Sequence, residues 1–198
     1  MSAPSTRSQI IEAADDLFYR QGFEHTSFAH IADVVGISRG NFYHHFKTKD
    51  EILDAVIGLR VARTEAMLTL WENQWAMPAE RILSFIRILI ANQTPIMAHG
   101  CPVGSLCSEL SKLAHPALVP ASELFTLFRV WLARQFEQAG RGADAGALAM
   151  HLLARSQGVA VLAQTFHDAA FVQSEVAQME EWLDSVLPQP VTAEIPRV

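Results

Sequence analysis

Arg39, Asn41, Tyr43, His44, Lys47 and Lys49 fall in one short stretch, and every charged residue between Val34 and Lys49 is basic. Arg bonds guanine O6 and N7 through two donors, and Asn does the same for adenine N6 and N7. Lys, Tyr and His offer donors to phosphate oxygens. Ser38 precedes this group, and Gly40 lies inside it, where the missing side chain permits close backbone approach. Thr26 and Ser27 stand upstream, where hydroxyls and the first N–H groups of a helix can receive a phosphate. Residue types and spacing fit hydrogen bonding to the base edges and backbone of a DNA duplex.

A second set, His99, Cys101, Cys107 and His115, has metal-ligating side chains. Its spacing, H-x-C-x5-C-x7-H, matches no usual short ligand pair, so no metal is expected. No cofactor is called for either. The chain has no P-loop, no G-x-G-x-x-G and no H-E-x-x-H, and its His and acidic residues propose no triad, so an enzyme is not expected.

The elements that must position the first set are helices. Thr6 with Gln9 reads as a capping box opening a helix through Ile10, Ala14, Leu17 and Phe18, closed by Gly22. Ser27 caps a short second helix ending at Gly36, and Ser38 caps a third that carries Phe42 and stops before Phe46. Gly36 supplies the positive φ of a sharp turn. Two short helices so joined form a helix-turn-helix, whose second helix enters the major groove with its N-terminal residues toward the bases. Thr48 with Glu51 starts a long fourth helix toward Trp71. Longer apolar helices are expected over Ala79 to about Met97, after Pro102, from about Pro116 to Ala139, Ala143 to about His167, and Val172 to Leu187. The fold expected is all-α with about nine helices: an N-terminal three-helix helix-turn-helix domain at residues 1–47, a larger helical domain at 48–187, and a tail at 188–198 with Pro188, Pro190 and Pro196.

Composition agrees with a packed chain, for half of the 198 residues are hydrophobic and only 18% are charged. The net charge of −6 argues against a protein that coats nucleic acid. Placement softens that objection: the acids of the first helices cluster at Glu12 to Asp16 and Asp50 to Asp54, outside the Gly36–Lys49 stretch. Few phosphate contacts and reliance on a defined operator follow. Two cysteines exclude a disulfide scaffold. The best membrane-span candidate, Ile82 to Ile90, is cut by Arg87, and Met1 to Gln9 lacks a signal peptide's apolar region. A cytoplasmic chain with reduced thiols and no membrane partner is expected.

The first quarter of the chain resembles the TetR family of bacterial transcriptional repressors. The carrying residues are T6-R-S-Q-I-I-E-A-A, L17-F, Q21-G-F, T26-S, I31-A, V35-G-I-S-R-G-N-F-Y-H-H-F-K-T-K and D50-E-I-L. The resemblance implies a homodimer joined through the last two long helices, a double-stranded operator as partner, and a small-molecule inducer bound by the C-terminal domain. It places Arg39, Gly40 and Asn41 at base-contacting positions and Thr26, Tyr43, His44, Lys47 and Lys49 at phosphate-contacting ones. Phe42 and Phe46 match core positions, and His45 fits either set. Leu148, Leu152, Val159, Met179, Trp182, Leu183 and Val186 are expected on the dimer faces, although an amphipathic stripe explains them equally well.

The inducer site is expected among Trp71, Phe85, Phe128, Trp131 and Phe166, unless these aromatics are ordinary core. H99-G-C-P-V-G-S-L-C-S-E-L is similar to the G-C-x-x-x-x-L-x-x-E segment of a TetR subgroup that includes electrophile-responsive repressors. That resemblance implies a reactive thiol at Cys101, a chemistry helix N-termini favour. A buried structural thiol is the alternative.

Overall fold

The computed structural model describes residues 4–188, and these contain helices and no strand. The expected tail lies outside the described residues except for Pro188. Ten helices are present among the described residues: α1 (Thr6–Gln21), α2 (Phe28–Val35), α3 (Arg39–His45), α4 (Lys49–Gln74), α5 (Pro78–Ala91), α6 (Gln93–His99), α7 (Pro102–Lys112), α8 (Leu118–Gln138), α9 (Ala145–Phe166) and α10 (Ala169–Val186). The segment expected as one helix from Ala79 to Met97 is two, α5 and α6, parted at Asn92. Pro95 follows closely, and a proline has no N–H to return to the preceding turn.

Side-chain caps set the starts of the early helices. Ser27, Ser38 and Thr48 accept the N–H groups of His30, Asn41 and Glu51 at 3.2, 3.2 and 3.1 Å. At α1 the cap is Ser5, which accepts from Ser8 N at 3.1 Å, so Thr6 is the first helical residue and not the cap expected of it. Glu51 turns its carboxylate back to the N–H of Lys47 at 2.7 Å, one residue before the usual capping-box partner. Gly36 ends α2 in the left-handed region at φ 73°, as its place in the sequence required.

Two apolar cores lie among the described residues, and the first takes side chains from both sides of residue 47. The first gathers Ile10, Phe18, Phe23, Ile31, Phe42 and Phe46 with Ile52, Leu53, Val56 and Ile57 of α4. Leu106 and Leu110 of α7 and Ala121 of α8 complete it. Phe42 and Phe46 are each 1% exposed, and burying such a side chain stabilises by about 1.5–3 kcal/mol. The three-helix unit therefore borrows one wall from the body. The second core is built from α5, α8, α9 and α10, with Phe85, Trp131, Phe136, Leu152, Met179 and Leu183 among its members.

α9 is long and apolar enough to cross a membrane by length and composition alone, more so than the Ile82–Ile90 candidate. It is instead a central packing helix: Leu152, Leu153, Val159 and Ala163 are buried in the second core, and Arg155 pairs with Glu175 of α10 at 3.0 Å. This placement corrects the expected dimer faces. Leu152, Val159, Met179 and Leu183 are spent inside the protomer, and Leu148, Trp182 and Val186 are half-buried against the same core. The outward face of α9 carries Ala147, Met150, Ala154, Gly158, Val161 and Leu162 instead.

Candidate nucleic-acid interface

α3 is anchored from below and open above. Phe42 and Phe46 hold it in the first core, and Phe28 of α2 packs on Phe42 with ring centroids 5.1 Å apart. With that face fixed, the 3.6-residue period turns Ser38, Arg39, Gly40, Asn41, Tyr43 and His44 outward, and all six are exposed. A Cβ on Gly40 would meet nothing nearer than Ser38 Oγ at 3.9 Å, so the face above this residue is open. His45 is half-buried at the rim of the first core. Arg39, Tyr43, Ser27 and Lys49 line one open depression of about 500 Å³ with Glu24, His25 and Thr26.

Gly36-Ile37-Ser38-Arg39-Gly40 also has the G-x-S-x-G spacing of a hydrolase nucleophile elbow. That elbow needs a strand leading into it, whereas here the motif joins two helices. Ser38 Oγ is occupied as the cap of α3.

The expected phosphate-contacting residues separate into two groups. Ser27 is exposed at the start of α2, and Lys47 is exposed with its ammonium on the carbonyl of Tyr43. Thr26 does not join them: its side chain is 1% exposed, its hydroxyl donates to Gly22 O at 2.7 Å, and it accepts from Gln21 Nε2 at 3.1 Å. It ties the end of α1 to the start of α2 and has no side-chain group left for a phosphate. Lys49 is half-buried, donates to Glu24 O at 3.0 Å and lies 4.3 Å above the Phe23 ring. Burial lowers its ammonium pKa, and the carboxylates of Glu24, Glu109 and Asp50 oppose that shift. Its charge therefore serves the α1–α2 turn at least as much as the outer surface.

Sequence patterning left three residues out of this site. Tyr19 donates to the carbonyls of Gly100 at 2.8 Å and Pro95 at 2.9 Å. Arg60 is 8% exposed, donates to Asp15 Oδ1 at 2.6 Å and to Pro102 O at 2.7 Å, and so joins α1, α4 and the start of α7. Glu109 accepts from the N–H groups of Phe23 and Glu24 at 2.9 and 2.8 Å. All three partnerships cross 42 or more residues of chain, a distance at which local spacing carries no signal.

Among the described residues, the aromatics expected around one inducer cavity sit in different places. Phe85 and Phe128 pack edge to face at 5.5 Å, Phe85 being buried in the second core. Trp71 leans on Trp131 at 5.7 Å, and Trp131 donates its indole N–H to Glu72 at 2.7 Å. Phe166 is 68% exposed at the end of α9. Of these aromatics only Trp131 borders the groove of about 820 Å³ between α4 and α8, where Val61, Leu68, Leu127 and Arg134 also lie. Cys101 borders a different groove, of about 550 Å³, with Cys107, Phe125, Gln157 and Gln164. Cys101 caps α7, its sulfur accepting the Gly104 N–H at 3.4 Å, and both cysteines are free and half-buried. Burial pushes the Cys107 thiol up, Cys101 adds to the shift and Arg60 opposes it. No cluster of His, Cys, Asp or Glu among the described residues could hold a metal ion.

The profile of the family described as "Bacterial regulatory proteins, tetR family" matches residues 10–56, which are α1, α2, α3 and the first turns of α4. Over these residues the chain matches the TetR family. Over 55 residues it is 46% identical to the HTH-type transcriptional regulator TtgR of Pseudomonas putida, covering 28% of this chain and 26% of that one. The chain thus matches about a quarter of the length of the first curated relatives. A longer match, 29% identical over 134 residues, covers 62% of this chain and 63% of an uncharacterized HTH-type transcriptional regulator of Lactococcus lactis subsp. lactis. The fold continues beyond these matches: a TetR transcriptional regulator from Legionella pneumophila superposes with a TM-score of 0.81 over 95% of this chain and 100% of that one, at 22% identity.

Proposed function

We propose that this chain is a homodimeric repressor of the TetR family that reads a palindromic operator through α3 and leaves it when a small molecule binds the body. The observation that carries the reading is the first turn of α3: Ser38, Arg39, Gly40 and Asn41 all face outward from a helix whose opposite side is locked by Phe42 and Phe46. Arg39 and Asn41 are the base readers, and Ser27, Tyr43, His44 and Lys47 the phosphate contacts. Residues 1–47 are the DNA-contacting domain and 48–187 the ligand-binding and dimerising one, working in the cytoplasm.

Dimerisation through α9 and α10 brings two copies of α3 to one face of the duplex, with half-sites ~34–36 Å apart or a multiple of that. The inducer occupies the groove between α4 and α8. α4 runs unbroken from Lys49 beside the reading head to the groove-lining Glu72, so displacement at one end moves the other. The ligand acts only by favouring the conformation that does not fit DNA.

Electrophoretic mobility with duplexes from the gene's own upstream region tests the proposal. Wild type shifts one of them, Arg39→Ala loses about tenfold or more in affinity for it, and Lys47→Ala weakens all duplexes alike with a salt slope shallower by about one. An Arg39→Ala protein that binds as tightly as wild type ends the assignment.

A second reading concerns the inducer's chemistry. Cys101 caps α7 and opens onto the groove it shares with Gln157 and Gln164, which favours an electrophilic inducer that adds to the thiol. Release of the duplex after N-ethylmaleimide treatment of wild type, and its persistence in Cys101→Ser, is the outcome this reading requires.

A further inference from the structure

We infer that Glu109 is a positioning residue for DNA reading: its carboxylate holds the α1–α2 turn and thereby sets where α2 and α3 stand relative to the body. The inference rests on the proposed DNA-reading role of α3 and adds a residue that no motif in the reading head contains.

The turn after α1 has two N–H groups, those of Phe23 and Glu24, with no helical partner. Both point at Glu109, Oε2 taking Phe23 N at 2.9 Å and Oε1 taking Glu24 N at 2.8 Å. Hydrogen bonds to an ionised acceptor are roughly twice as strong as neutral ones, and two from adjacent amides fix direction as well as distance. The carboxylate is pressed so closely on the turn that a Cβ at Gly22 would stand 2.9 Å from Oε1.

The turn passes this constraint on. Phe23 is 4% exposed and packs edge to face against Phe18 at 5.3 Å and His115 at 5.4 Å. Thr26 closes the turn on Gly22 O, and α2 begins two residues later at Phe28. α2 carries α3 through the contact of Phe28 with Phe42. Glu109 belongs to α7, whose start is separately tied to α1 and α4: Tyr19 donates to Gly100 O and Arg60 to Pro102 O. α7 is therefore gripped at its start by the helices that lead to and from the reading head, and at Glu109 it grips the turn between α1 and α2. Its middle lies along the groove that Gly104, Ser105 and Ser108 line with Gln157 of α9. A displacement of α7 from that side pulls the turn through one carboxylate.

The test uses full-length Glu109→Ala and Glu109→Gln, with a duplex enriched by wild type from a random-sequence double-stranded DNA pool. Glu109→Ala is expected to bind that duplex at least tenfold more weakly while binding to an unrelated duplex is unchanged, since Arg39 and Lys47 are untouched. Glu109→Gln keeps one acceptor oxygen toward the turn and falls between the two. Amide exchange at Phe23 and Glu24 and through α2 and α3 accelerates in Glu109→Ala, with α8 to α10 as protected as in wild type. Unchanged affinity in Glu109→Ala overturns the inference. So does loss of specific and non-specific binding together with a lowered unfolding midpoint in both variants, which marks a general structural role. Failure of wild type to enrich any duplex defeats the DNA-reading proposal instead. Exchange then decides for Glu109: acceleration confined to residues 22–46 supports it, and an unaltered pattern overturns it.

Discussion

The backbone of Gly22 and the carboxylate of Glu109 occupy adjoining space, with an ideal Cβ on Gly22 only 2.9 Å from Oε1. Gly22 also has φ 90° and ψ 158°, a region open in practice only to glycine. Two independent constraints therefore meet at one residue. Gly22→Ala is expected to destabilise the chain by about 1–3 kcal/mol from backbone strain, with added displacement of Glu109. In a Glu109→Ala background the steric part disappears and the strain part stays, so the Gly22→Ala cost is smaller there but not zero. Chemical denaturation of the four proteins of this double-mutant cycle measures both parts.

Thr26 separates a structural role from a DNA-contacting one. Thr26→Val keeps the shape, removes the hydroxyl that donates to Gly22 O and leaves that carbonyl short of a donor. A lower stability of about 1–3 kcal/mol is expected, with the salt dependence of DNA binding unchanged. A shallower salt slope with unaltered stability would restore the phosphate-contact assignment.

Tyr19 links the fold to alkaline pH. Burial, with the Cys101 charge adding and Arg60 opposing, raises its phenol to about 12. A raised pKa means that the folded state favours the protonated form. The stabilisation is present in full below the unfolded value near ~10 and disappears as pH rises through about 12. Stability should thus fall between those limits as the proton on Gly100 O and Pro95 O is lost, and Tyr19→Phe should abolish that component. Denaturation midpoints of wild type and Tyr19→Phe across alkaline pH provide the comparison.

In the proposed dimer the outward face of α9 is the seam. Val161 is 60% exposed there, beside Leu162 and the small residues Ala154 and Gly158. Val161→Asp buries a charge if that face meets a second copy, so it should shift the protein from dimer to monomer in sedimentation velocity while its helical circular dichroism stays the same. Leu152→Ala, by contrast, opens a cavity inside the protomer and should cost about 2–5 kcal/mol without a specific effect on assembly.

Much of the reading head was legible in the chain itself. Ser27, Gly36, Ser38 and Thr48 mark helix ends through bonds reaching three or four residues, and the period of Phe42 and Phe46 decides which side of α3 turns outward. Short-range hydrogen bonding and side-chain periodicity are properties of neighbours in sequence, so residue order alone determines them. The all-α class and the exposed Arg39–Asn41 turn follow from the same rules.

Tertiary structure decided the rest, because burial depends on what packs from far along the chain. Thr26 looks like a phosphate donor beside Ser27 until Gly22 O and Gln21 enclose it. Leu152, Val159 and Met179 form stripes that fit a dimer seam or a protomer core equally, and only the packing of α8, α9 and α10 assigned them to the core. Glu109 is the acidic residue of the G-C-x-x-x-x-L-x-x-E segment, but nothing local names its partners Phe23 and Glu24, which lie more than eighty residues earlier. A carboxylate's role is set by the amides it reaches, and folding alone brought those amides to it.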